Sequence, residues 1–106
     1  MGKLFNLTYP TAAVLLAIRH GHCYGFDVMD ATGLPDGTVY PLLRRLERRG
    51  VLEGRWEEED KARAENRPAR RYYRLTPQGE ESLEEVLQRF PALVKVFGTV
   101  EAEATG

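Results

Sequence analysis

Three groups of side chains in this 106-residue sequence have types and spacings that could do chemistry. The largest is Arg44, Arg45, Arg48 and Arg49. On a helix, at about 100° per residue, Arg44, Arg45 and Arg48 share one face. A guanidinium is a permanently charged planar fork that matches a phosphate or the edge of a guanine, so such a face could grip a nucleic acid. The plainer reading is a solvated helix surface. The second group is His20, His22 and Cys23, residue types that ligate metals or act as nucleophiles. They fall in a turn at a helix end, with Asp27 as the only carboxylate close in sequence. A histidine that complements a helix dipole and a cysteine that acts as a small hydrophobe account for them, so neither a metal site nor a catalytic residue is expected. The third group, the carboxylates Glu57 to Asp60, reads as a solvated strand end rather than an acid/base pair. With no phosphate-cradling glycine loop and no nucleophile elbow, the reading is of a non-enzyme without a cofactor.

Charge supports the first group. Fifteen basic and sixteen acidic residues nearly cancel over the whole chain, but not locally. Residues 1–35 are neutral, 36–56 carry +2, 57–60 carry −4, 61–75 carry +5 and the remainder −4. Two basic segments set between acidic and neutral ones can build a local positive surface. With 42% apolar or aromatic residues, the length suits one domain with its own core. The longest apolar run, Ala12 to Ile18, is far below the ~18 residues that a membrane-spanning helix needs. Asn6, Thr8, Pro10 and Thr11 interrupt the lead-in that a signal peptide would need, and Asn6 stands where a myristoylation signal takes Ser or Thr. A single Cys fits a reducing compartment, so the expected location is the cytoplasm, away from membranes.

The elements that position these residues follow from periodicity and caps. Tyr9 to His20 reads as a helix with Thr8 as N-cap and Pro10 in its first turn. Its middle has no polar face, which predicts cover on most sides by the domain core and a second subunit. Tyr24 to Thr32 reads as a weaker helix ended by Gly33, followed by a Leu34-Pro35-Asp36-Gly37 turn. Thr38 is the expected N-cap of the arginine-bearing helix, with Pro41 in its first turn and Gly50 beyond its end. Val39, Leu42, Leu43 and Leu46 form its core face; Tyr40, Pro41, Arg44, Arg45 and Arg48 lie opposite. Val51 to Glu57 and Arg70 to Thr76 read as two strands of a hairpin with a long, floppy, charged tip. Trp56, Tyr72 and Tyr73 are expected in core and sheet packing, with Arg55 and Arg74 pairing Glu57 or Glu58 across the hairpin. A last helix starts with Thr76 as N-cap and Pro77 at N1, carries the stripe Leu83, Val86, Leu87, Phe90, Val94 and Phe97, and kinks at Pro91.

This order predicts a mainly α fold (α+β): a winged helix-turn-helix in which the basic helix enters the major groove and the hairpin is a two-stranded β wing. Residues 1–79 form the DNA-binding domain, 80–98 the C-terminal helix and 99–106 a frayed tail, all within one unit. Thr38, Tyr40, Pro41 and Arg44 are the candidates for base edges, and Arg45, Arg48 and Arg49 for phosphates. Lys61, Arg63, Arg67 and Arg70 are the wing candidates. A winged helix whose basic face docks an acidic protein is the alternative.

The stretches Tyr24-Gly-Phe-Asp-Val28, Gly37-Thr-Val-Tyr-Pro-Leu-Leu-Arg-Arg-Leu-Glu47, Gly50-Val-Leu52 and Arg71-Tyr-Tyr-Arg-Leu-Thr-Pro-Gln-Gly79 resemble the PadR family of bacterial winged-helix transcriptional regulators. The resemblance spans roughly residues 11–80. It implies a homodimeric repressor on double-stranded DNA, with an inverted-repeat operator and much of the dimer contact on the C-terminal helix. The Leu83 to Phe97 stripe is then the expected dimer interface. It further implies a small aromatic or hydrophobic effector, for which a pocket near Phe5, Tyr9 and Phe90 is the candidate. The stretch after Gly79 is short, as in members with a single C-terminal helix.

Overall fold

Thr8 caps the first helix as its position predicts: its Oγ1 accepts the Thr11 backbone N–H, and Pro10 sits in the first turn, where a missing N–H costs nothing. In the computed structural model, which describes residues 7–97, the chain runs α1 (Tyr9–Arg19), α2 (Gly25–Thr32), α3 (Asp36–Arg48), β1 (Leu52–Trp56), α4 (Glu59–Ala64), β2 (Arg71–Leu75) and α5 (Pro77–Arg89). Phe5 and the 99–106 tail, both invoked above, lie outside the described residues.

Every residue of α1 from Thr11 to Ile18 is buried, as a helix without a polar face requires. The cover comes from the chain itself: α2, α3, β2 and α5 all pack around α1, so no second subunit is needed there. Leu15 and Leu16 meet Val28, Val39, Leu43, Val51, Leu52 and Val86 in one continuous core. Full burial of such side chains stabilises a fold by roughly 1.5–3 kcal/mol each.

The basic helix starts earlier than expected. Thr38 is not its cap; α3 begins at Asp36 with Pro35 in the N-cap position, and no side chain bonds the free N–H groups there. Pro35 enters with its restricted φ of −75°, and the Asp36 carboxylate sits at the positive end of the helix dipole, so both residues favour this start. Consequently Pro41 lies past the first turn, inside the helix. At the other end of the domain the expected kink is a full break. α5 stops at Arg89, Phe90 leaves the helical region (φ −128°, ψ 62°) and helix resumes over 91–97. The ring of Pro91 disfavours an α conformation at the residue before it, which ends α5 instead of bending it.

The two strands pair antiparallel, Leu52 with Leu75 through Trp56 with Arg71. The segment entering α2 adds to this sheet: the Tyr73 N–H donates to the Cys23 carbonyl at 2.8 Å, and Tyr24 bridges Tyr72. α2, α3 and the hairpin are therefore mutually fixed. No helix among the described residues is long and apolar enough to cross a membrane.

Candidate nucleic-acid interface

α3 presents the two faces its sequence predicts. Val39, Leu42, Leu43 and Leu46 are buried, while Tyr40, Arg44, Arg45 and Arg48 are exposed and Thr38 and Pro41 half-buried. Arg44, Arg45 and Arg48 form no hydrogen bond or ion pair with any described residue, which leaves three guanidiniums directed at solvent along one ridge. The N-terminal half of this ridge is seated on α2. The Tyr40 ring lies so close over Gly25 that a Cβ there would sit 2.2 Å from a ring carbon, so only glycine admits the contact.

The hairpin tip is ordered rather than floppy. Glu57 accepts both arms of the Arg67 guanidinium, at 2.7 and 2.8 Å, together with the Arg70 backbone N–H at 3.1 Å. Arg67 also reaches Glu65 at 3.0 Å. The Arg67 fork, reinforced by the Arg70 N–H, holds the Glu57 carboxyl down at about 2, and the same bond pushes the Arg67 guanidinium further up. Between these anchors Glu59 and Asp60 at the start of α4 and Lys61 and Arg63 near its end match the helix dipole, which is why the acidic run folds into a short helix.

The wing candidates thus divide. Lys61 and Arg63 are exposed on α4, with Arg63 only loosely set against Glu59 and Asp60 at 3.7 and 3.6 Å. Arg67 is committed to Glu57, and Arg70 stacks over the Tyr24 ring at 4.1 Å while its Nη1 donates to the Tyr72 hydroxyl. Neither is a free phosphate ligand in this conformation. Arg74 pairs with its register partner Glu53, not with Glu57 or Glu58, and Arg55 is exposed. Arg71, absent from the sequence-based candidates, bonds Glu47 and so ties the wing to α3.

Two further expectations change. Tyr73 is buried in the sheet, but Trp56 is 63% exposed. Leu83, Val86 and Phe97 are buried in the chain's own core, and Phe90 and Val94 pack partly against it, which leaves Leu87 as the exposed member of the supposed dimer stripe. Phe90 meets Tyr9 edge-on at 6.0 Å, so these two rings pack against each other. His20 stacks on Phe97, His22 Nδ1 lies 3.2 Å from Asp27, and burial pushes the Cys23 thiol up.

A cleft of about 720 Å³, which no local sequence pattern locates, opens between α2, α3 and the wing. Phe26, Tyr40 and Trp56 stand on three different elements, and no periodicity within one element reveals that they converge.

A basic helix seated on a shorter one and flanked by an ordered β wing is the arrangement of a DNA-binding winged helix. The model of the PadR-like transcriptional regulator family matches residues 14–85. The chain belongs to this family. The members of this family are transcriptional regulators. Among solved structures it is similar to Bordetella bronchiseptica BpsR, at 27% identity and a TM-score of 0.66 over 86% of this chain. The chain spans 64% of the length of that protein, whose DNA binding is regulated by 6-hydroxynicotinic acid. A PadR-like regulator from Bacillus cereus matches at 27% identity and a TM-score of 0.59, with 91% of each chain covered. A PadR family regulator from Clostridium difficile shares the fold at 23% identity, with a TM-score of 0.68 over 88% of this chain and 98% of that one. No curated protein matches the chain significantly.

Proposed function

We propose that this PadR-like regulator is a cytoplasmic repressor that binds an inverted-repeat operator on double-stranded DNA as a homodimer. The observation that supports this most directly is the row of three unpartnered arginines on the exposed face of α3, opposite a fully buried apolar stripe. Arg44, with Thr38, Tyr40 and Pro41 beside it, is assigned to base edges, where one fork can take the O6 and N7 of a guanine. Arg45 and Arg48 on α3, with Lys61 and Arg63 on the wing, are assigned to phosphates, which fix register without reading sequence.

In this reading the dimer contact is assigned to the large apolar side chains that the fold leaves uncovered, with Leu87 the member of the Leu83 to Phe97 stripe among them. Tyr9 (58% exposed), Leu87 (40%) and Val96 (65%) are large apolar side chains on α1, α5 and the 91–97 helix, none of them on α3 or the wing. Exposed apolar surface of this kind is suited to a second subunit. A small aromatic effector is part of the same reading, prompted by the regulation of BpsR DNA binding by 6-hydroxynicotinic acid.

A salt titration of affinity for a duplex tests this function. Four phosphate contacts per subunit make about eight per dimer, for which the logarithm of the binding constant falls against that of salt with a slope of about −7. A slope near zero would turn the basic face toward an acidic protein instead.

A further inference from the structure

Arg44 and Glu47 stand one turn apart on α3, at the i, i+3 spacing from which opposite charges on a helix ordinarily pair. They do not pair here. Arg44 is exposed, with neither a hydrogen bond nor an ion pair to any described residue, while the Glu47 carboxylate accepts from Arg71 on β2. The only other carboxylate of α3 is Asp36 in its first turn, so Glu47 is the one acidic group of the helix within reach of Arg44. The route of Arg71 to it is built. The guanidinium crosses Gly54, where an added Cβ would sit 2.8 Å from Nε and Nη2, and it runs beside the Trp56 and Tyr73 rings, 5.3 and 5.9 Å from their centres. All three charges act on one buried group: burial and then Glu47 push the Tyr73 hydroxyl up, while Arg71 and Arg44 draw it back. Arg44 therefore belongs to the same cluster, yet the carboxylate is taken by Arg71.

We propose that Arg71 is a positioning residue for sequence reading: by holding the Glu47 carboxylate on the wing side of α3, it keeps the Arg44 guanidinium free for a base edge. Without Arg71, Glu47 captures Arg44, and that pair must be broken before a guanine can be held. The consequence for DNA rests on the function proposed above, which assigns Arg44 to a base edge; the competition for Glu47 does not. A brace that only joined the wing to α3 would differ in one respect, because removing Glu47 as well would not repair its loss.

Two measurements separate these roles. Without DNA, the Arg44 Nε–H signal in nuclear magnetic resonance spectra should exchange with water more slowly in Arg71→Gln than in wild type, and return to the wild-type rate in Arg71→Gln/Glu47→Gln. With DNA, the preference of Arg71→Gln for the selected duplex over random duplex should fall about fivefold, the upper range for one partly exposed ion pair. Adding Glu47→Gln should restore that preference. Adding Glu81→Gln instead, which removes an exposed charge from α5, should not, because recovery of net charge alone does not release Arg44. Gly54→Ala changes no charge but places a methyl in the path of the guanidinium, and it carries the same two measurements if Arg71→Gln does not fold. A preference that survives the loss of Arg71, a loss that Glu47→Gln leaves in place, or one that Glu81→Gln reverses equally overturns the proposal. An Arg44 signal indifferent to Arg71 overturns the competition for Glu47, while a wild-type preference for one duplex still upholds the function. Capture and release of Arg44 in a protein that prefers no duplex to another overturns the proposed function and leaves the competition standing.

Discussion

Replacing Gly79 with alanine sets two physical effects of opposite sign against each other at the joint between α5 and the wing. Gly79 lies in the first turn of α5, where alanine is the better helix former by up to about 1 kcal/mol. Against this, an added Cβ would sit 2.2 Å from the Val51 carbonyl oxygen and 3.0 Å from Leu75 Cδ2. That oxygen cannot swing aside, because it accepts the Thr76 backbone N–H at 3.1 Å and the Thr76 hydroxyl at 3.1 Å. Ordinary contact requires α5 and the root of the wing to separate by about 1 Å, an overpacking cost of roughly 1–3 kcal/mol. Weakening the Thr76 bonds adds about 1 kcal/mol. The net expectation is a loss of about 2 kcal/mol, or a fall in Tm of roughly 10 °C for a domain of this size. Urea unfolding followed by far-ultraviolet circular dichroism would show a lower midpoint at an unchanged slope. A Gly79→Ala protein as stable as wild type, or more stable, would refute the reasoning from close approach.

Arg44→Ala should weaken binding to the preferred duplex by about 1–3 kcal/mol and relax the choice at one base position, with little effect on random duplex. Arg63→Ala should instead weaken all duplexes alike and reduce the steepness of the salt dependence; equal losses on specific and random duplex for both variants would contradict this division. Glu57 is held at about 2, below its unfolded value, so the contribution of its bonds to Arg67 and Arg70 is complete above about pH 4.3 and is lost as pH falls through 2. The difference in thermal stability between wild type and Glu57→Gln should accordingly shrink from pH 5 to pH 2; a constant difference would show that the carboxylate is not what secures the wing. Leu87→Lys should shift the sedimentation equilibrium toward monomer, and an unchanged association constant would remove Leu87 from the dimer contact.

Much of this architecture could be read from local pattern. The unbroken apolar run of α1, the Thr8 and Thr76 caps and the two-faced spacing of α3 each depend on neighbours within a few residues, and the structure agrees with all of them. What escaped depends on partners distant in sequence. The ordered tip needs Glu57 and Arg67 to meet across the hairpin, and the coupling of wing to α3 needs Arg71 to meet Glu47. The stripe on α5 shows where periodicity stops being informative. It establishes that Leu83, Val86 and Leu87 share a side of the helix, but not whether that side meets the chain's own core or a second subunit. Leu83 and Val86 are in the core, and only the edge of the stripe at Leu87 remains outside. Trp56 escapes for a related reason: alternation along β1 gives it a face, yet near the end of a two-stranded sheet the Arg71 guanidinium, 5.3 Å from the ring centre, covers it only in part.

The proposed function stands on the arginine ridge of α3 reading a duplex sequence. Selection from a pool of random duplexes, with the bound fraction sequenced after several rounds, tests it most directly. The expected outcome is enrichment of two inverted half-sites, centred about one helical turn, ~34 Å, apart, with a guanine at the position that Arg44→Ala relaxes. A bound fraction no different from the starting pool, or an asymmetric single site indifferent to Arg44, would contradict it.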